Sequence, residues 1–135
     1  MGILSGRPCA LIVDDSQFIC KILAKSLLDF GFRLVAIGGS CEEAMAHVHT
    51  FAPDLITLDL VLPDGDGFEL FDRLREVRPG AQIVIVSDLR RVEAFEQSQR
   101  KGAVGFIGKP FQEAHLRQVL QKLDLGGGSS TPVGP

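Results

Sequence analysis

Short runs of apolar and β-branched residues alternate along this chain with longer segments whose apolar positions recur every three or four residues. The runs occupy Cys9–Val13, 34–37, Leu55–Leu58, 83–86 and, most weakly, 104–107. They are apolar at consecutive positions rather than alternating, which predicts strands covered on both faces, as in a parallel sheet. Between them, Ile19, Ile22, Leu23, Leu27 and Phe30 form one helical stripe. Ser40 and Glu43 make a capping-box pattern that opens a second helix, with Ala44, Val48 and Phe51 facing inward. Leu70, Phe71, Leu74 and Val77 mark a third, stopped near Pro79-Gly80. A fourth, around 92–100, carries few apolar residues after Val92 and Phe95 and should pack weakly. Leu116, Val119, Leu120 and Leu123 mark the fifth.

Repeated strand–helix alternation predicts right-handed βαβ crossovers and a single doubly wound, flavodoxin-like α/β domain with five parallel strands and five helices. The domain is expected over residues 8–125, after an N-terminal extension at 1–7 and before a Gly/Ser/Pro-rich flexible tail or linker at 126–135. A length of 135 residues suits one domain. With 45% hydrophobic and 23% charged residues, the composition is that of a globular protein. A net charge of −3 gives no general pull toward nucleic acid or anionic membrane, so neither is expected as a partner. No apolar run reaches spanning length, and the first residues lack the features of a signal peptide. Cys9, Cys20 and Cys41 are odd in number and form no CxxC pair, which suggests reduced thiols in a cytoplasmic setting.

In open parallel sheets, ligands sit beyond the carboxyl ends of the strands. There this chain carries Asp14-Asp15 after the first run, Asp59 after the third, Ser87 and Asp88 after the fourth, and Lys109-Pro110 after the fifth. Three carboxylates gathered on one rim repel one another unless a cation joins them. An all-oxygen donor set suits a hard ion such as Mg2+. Three carboxylates, Mg2+ and the Lys109 ammonium sum to about zero formal charge. Such a pocket can receive a phosphoryl group, with Asp59 as covalent acceptor.

Asp14-Asp15, Asp59, Ser87 and Lys109-Pro110, with the stretch LPDGDGFEL at 62–70, resemble the receiver domain of two-component response regulators, the chemotaxis receiver included. The resemblance covers about residues 8–123. It implies a sheet order of 2-1-3-4-5 and phosphorylation of Asp59 by a sensor histidine kinase or phosphotransfer protein. It implies Mg2+ on Asp15, Asp59 and the Val61 carbonyl, with Asp14 acting through metal-bound water. It implies that Lys109 and Ser87 engage the phosphoryl oxygens and that Ser87 moves inward on activation. Phe106 takes the place of the switch aromatic. The output would pass through the fourth helix, fifth strand and fifth helix to a downstream protein or a fused effector domain. Such a domain assists its own phosphorylation rather than acting as an enzyme, and its Lys109-Pro110 bond is expected to be cis.

Each of these residues also has a plainer reading. Asp14 and Asp15 could cap the first helix beside Ser16. Lys109 could be a solvated surface residue, and Phe106 simply core. Gly65-Asp66-Gly67 reads as a turn, and His47, His49 and His115 as surface residues. An aspartate-based phosphatase of the haloacid-dehalogenase kind needs a second Asp two residues after the first, where Val61 stands. A flavin or nucleotide binder would want a glycine-rich loop after the first strand. A pseudo-receiver that binds partners without phosphorylation is the remaining alternative, and Asp88 is its best support. Receivers usually carry a small residue there. A carboxylate would disfavour the phosphorylated state or restrict access to Asp59, unless it faces solvent and selects a partner. Val61 and Leu89 flank the site without a group to orient water, which predicts slow self-dephosphorylation.

Overall fold

A computed structural model of the chain describes residues 6–89 and 91–123. The expected tail at 126–135 and most of the N-terminal extension lie outside the described residues. The elements are β1 (Cys9–Val13), α1 (Gln17–Phe30), β2 (Arg33–Gly38), α2 (Cys41–Thr50), β3 (Leu55–Leu58), β4 (Val61–Leu62), β5 (Gly65–Asp66), α3 (Gly67–Val77), β6 (Gln82–Ser87), α4 (Val92–Lys101), β7 (Gly105–Gly108) and α5 (Glu113–Gln121). Five of the strands form one parallel sheet in the order β2-β1-β3-β6-β7. In a count of its own strands alone this is 2-1-3-4-5, as expected. The sequence pattern did not foreshadow the two-residue antiparallel ribbon of β4 and β5, which lies in the loop after Asp59.

Because side chains alternate across a strand, the sheet buries two separate cores. On one face Leu11, Val13, Ile56, Leu58, Ile83 and Ile85 pack against α2, α3 and the one buried apolar residue of α4, Ala94. On the other, Ala10, Ile12, Leu55, Val84, Val86 and Ile107 pack against Cys20, Leu23 and Leu27 of α1 and Leu116 and Leu120 of α5. This three-layer arrangement is why the central strands read as unbroken apolar runs. The edge strand β2 is only half-buried along most of its length. Among the described residues, no helix is long and apolar enough to cross a membrane.

Several helix details depart from the periodicity. In α1 the buried stripe runs through Cys20, Leu23, Ser26 and Leu27, while Ile22 is half-buried. Phe51 ends α2 as its C-cap and is exposed, and Leu123 lies beyond the end of α5. In α4 the buried positions are Ala94 and Ser98, whereas Val92 and Phe95 are 67% and 44% exposed. The weak packing expected of α4 therefore rests on an inner face of small residues, with its large apolar side chains turned outward.

Candidate functional site

The sheet register builds the site. Val13 pairs with Leu58, so the next residue on each strand is an aspartate, Asp14 and Asp59. Backbone bonds extend the ladder by one step: Asp59 N–H donates to the Val13 carbonyl, and Lys109 N–H to the Ser87 carbonyl, each at 2.9 Å. Ser87 pairs with Gly108, which puts Lys109 just beyond it. The four side chains thus reach a common rim from β1, β3, β6 and β7. Ser16 caps α1, its hydroxyl accepting from Ile19 N–H at 3.3 Å. That frees Asp14 and Asp15 from the capping role they could have taken.

Asp59 is 4% exposed, and both of its oxygens are engaged. Oδ1 accepts from the Ser87 hydroxyl at 2.8 Å and from Val61 N–H at 3.2 Å. Oδ2 accepts from Lys109 Nζ at 3.0 Å. Asp14 is 2% exposed; its Oδ1 accepts from Ser16 N–H at 2.9 Å. Lys109 Nζ lies 2.7 Å from Asp14 Oδ2, an ion pair between two largely buried groups. Asp15 is exposed at the mouth of the site. Carboxylate oxygens of Asp14, Asp15 and Asp59 all fall within 4.8 Å of one another.

Burial pushes the Asp14 carboxyl above its ordinary value, since desolvation penalises the charged form; Lys109 and the Ser16 N–H pull the other way, and Asp59 adds to the rise. Burial pulls Lys109 down, but its bonds to Asp14 and Asp59 outweigh this and hold it above its usual value. It is therefore a fixed positive charge at neutral pH. Cys20, whose thiol donates to the Asp14 carbonyl at 3.3 Å, is pushed up to about 11 by burial and by Asp14 beneath it. It is an inert packing residue rather than a nucleophile.

The remaining sequence-derived residues surround this centre. Val61 is 53% exposed in β4, opposite Asp66. Ser87 is fully buried, and its hydroxyl also accepts from Leu89 N–H at 3.3 Å. Phe106 is half-buried and meets Phe95 edge-on, ring centroids 5.8 Å apart. Asp88 is exposed. The Lys109-Pro110 bond is cis.

Asp64 was missed by sequence reasoning. Its Oδ1 accepts from Cys41 N–H at 2.7 Å and its Oδ2 from Glu42 N–H at 3.1 Å, so the loop after Asp59 caps α2. Asp66 likewise caps α3 through Phe68 N–H at 3.0 Å. The loop closes where Gly67 N–H donates to the Leu60 carbonyl at 3.0 Å. A Cβ at Gly67 would overlap the Leu60 backbone, so only glycine fits. The Asp-Gly-Asp-Gly composition signalled a turn but not its long-range partners.

The two bonds from Cys41 and Glu42 hold the Asp64 carboxyl below its ordinary value. A group whose pKa is lowered by folding stabilises the fold above its unfolded pKa, and that contribution is lost as pH falls through its folded pKa. Asp64→Ala should therefore melt below wild type at neutral pH, with the gap closing in acid. Thermal denaturation of both proteins across this range checks it; a gap independent of pH would refute the assignment.

The sequence pattern described as the response regulator receiver domain matches residues 10–121. The chain is 31% identical over 112 residues to chemotaxis protein CheY of Listeria monocytogenes, covering 83% of this chain and 94% of that one. It is 32% identical over 110 residues to CheY of Halobacterium salinarum, covering 82% and 91%. A CheY-like receiver domain protein from Methanospirillum hungatei has a crystal structure that matches with a TM-score of 0.79 at 26% identity, covering 87% of this chain and 93% of that one.

Proposed function

The chain belongs to the response regulator receiver family, and on that premise we propose that it accepts a phosphoryl group on Asp59 from the phosphohistidine of a sensor kinase or phosphotransfer protein. The observation that carries the proposal is the placement of Asp59. It is buried, bonded to both Ser87 and Lys109, and has two further carboxylates within reach of its own.

The donor set fits Mg2+: three carboxylates with no nitrogen or sulfur ligand, their oxygens within 4.8 Å of one another. Asp15, Asp59 and the Val61 carbonyl would hold the ion directly, with Asp14 reaching it through water. Bound there, it would supply the positive charge that offsets the acceptor carboxylate and the phosphoryl oxygens. The chain's own residues do the rest. An oxygen of Asp59 forms the new O–P bond as the N–P bond of the donor breaks, its electron pair staying on the imidazole nitrogen. Lys109 passes from the Asp59 carboxylate to a phosphoryl oxygen, and the Ser87 hydroxyl donates to another. Positioning and charge are most of what this transfer requires. The domain assists a reaction on itself and does not turn over a separate substrate.

The output face is α4, β7 and α5, ending on a downstream protein or effector domain. An open groove of about 590 Å³ lies there among Phe95, Phe106, Pro110, Phe111 and His115. The exposed Val92 and Phe95 and the small-residue inner face of α4 suit a surface that repacks on phosphorylation. Neither Val61 nor Leu89 offers a group to orient an attacking water, so phospho-Asp59 should last minutes rather than seconds at neutral pH. Phosphate-affinity electrophoresis tests both points. Incubation with a small phosphodonor should shift the protein in Mg2+ and leave it unshifted in chelator, and the shifted band should decay slowly once donor is removed. No shift in Mg2+ would favour a phosphorylation-independent binding module instead.

A further inference from the structure

The loop after Asp59 is anchored at both ends of the β4–β5 ribbon. At the base, Gly67 N–H donates to the Leu60 carbonyl at 3.0 Å. At the tip, Asp64 accepts from the first two N–H groups of α2, Cys41 at 2.7 Å and Glu42 at 3.1 Å. Ser40 accepts from the third, Glu43, at 3.1 Å. Gly65, beside Asp64, lies so close to α2 that a Cβ there would come within 3.0 Å of Cys41 Sγ. Leu62 is buried in the core that also holds Cys41. The ribbon needs such anchors, because two residues per strand are too few to hold a hairpin together in water. Val61 stands between base and tip. Its side chain is 53% exposed and adds little anchorage, while its N–H rests on Asp59 Oδ1 at 3.2 Å.

From this arrangement we propose that Asp64 is a positioning residue for the metal: by clamping the ribbon tip to α2, it holds the Val61 carbonyl in place for a cation on Asp15 and Asp59. The inference rests on the Mg2+ site of the proposed function. Among the described residues, the carboxylates close enough to share an ion are Asp14, Asp15 and Asp59, and Asp64 stands outside them. It therefore acts through the backbone and not as a ligand. A backbone carbonyl has no rotamer to adjust, so its aim depends on how firmly the chain on either side is held. The coupling is reciprocal. If the clamp favours Mg2+, bound Mg2+ strengthens the clamp by the same factor.

The test is Mg2+ titration calorimetry on wild type, Asp64→Ala and Asp64→Asn, each well below its melting temperature. Removing a group that orients a metal ligand costs about 10–100-fold in affinity, and with the base anchor intact Asp64→Ala should lose about tenfold. Asp64→Asn loses the charge but keeps an oxygen for the Cys41 N–H, so its affinity should lie closer to wild type than to Asp64→Ala. In wild type, Mg2+ should also slow hydrogen exchange at the Cys41 and Glu42 amides, neither of which belongs to a metal ligand. A purely structural cap would lower the melting temperature of Asp64→Ala while leaving Mg2+ affinity and these amides unchanged, and that result would overturn the proposal. Equal weakening in the two variants would overturn it as well, because the loss would then follow the charge of Asp64 and not its bonds. A wild type that binds no Mg2+ would remove the metal site itself, and the inference with it.

Discussion

Lys109→Met should destabilise the metal-free protein by about 3–5 kcal/mol, because it removes one partner of a buried ion pair and leaves the other uncompensated. The Lys109 side chain is 12% exposed and stands between two buried carboxylates, 2.7 Å from Asp14 Oδ2 and 3.0 Å from Asp59 Oδ2. Without its ammonium, Asp14 and Asp59 face each other across the pocket. Burial already pushes the Asp14 carboxyl up, and Asp59 adds to that rise. One of the two would have to take up a proton or move apart. Mg2+ should restore much of the loss, since it supplies charge at the same carboxylates, whereas wild type should gain less from it. Urea denaturation in chelator and in Mg2+ measures both effects. Phosphorylation of the variant should be lost in either condition, because the phosphoryl oxygens would lack their cationic side-chain partner. A variant as stable as wild type in chelator would show that the ammonium is not part of the resting pocket.

The opposite behaviour is expected of Asp15. It is exposed at the mouth, so Asp15→Asn should change metal-free stability by less than about 0.5 kcal/mol. Yet it contributes a third of the carboxylates in the cluster. Losing that charge should weaken Mg2+ binding by about tenfold or more and slow phosphorylation in proportion at limiting Mg2+. The chain has neither Trp nor Tyr, so titration calorimetry rather than intrinsic fluorescence is the suitable readout. Together the two variants separate the charge that holds the empty pocket together from the charge that recruits the cation. Unaltered Mg2+ affinity in Asp15→Asn would remove that residue from the metal set.

The site was legible in the sequence because Asp14 and Asp59 directly follow strands whose own composition is unambiguous. The runs at Cys9–Val13 and Leu55–Leu58 coincide with β1 and β3, so Asp14 and Asp59 could be placed side by side from topology alone. What the sequence concealed is long-range and polar. Asp64 reaches across 22 or 23 positions to the start of α2, and no local pattern records such a bond. The capping box of α2 was half right. Ser40 accepts from Glu43 N–H at 3.1 Å, but the Glu43 carboxylate returns to Gly39 N–H at 2.7 Å, one residue earlier than the pattern specifies. Periodicity showed that α4 is poor in apolar residues but did not show which of its faces turns inward. It weights large apolar residues, while the inner face there is made of Ala94 and Ser98, small enough to lie close to the sheet. The large ones remain outside, where the output surface is proposed. Strand β2 was expected to be covered like the others, but it has a neighbour on one side only and is half-exposed.

The most direct test of the account is intact-mass spectrometry of wild type and Asp59→Asn after incubation with phosphoramidate in Mg2+, followed by peptide mapping. Wild type should gain one phosphoryl group, located at Asp59, and Asp59→Asn none. An unmodified wild type, or the same added mass on both proteins, would contradict it.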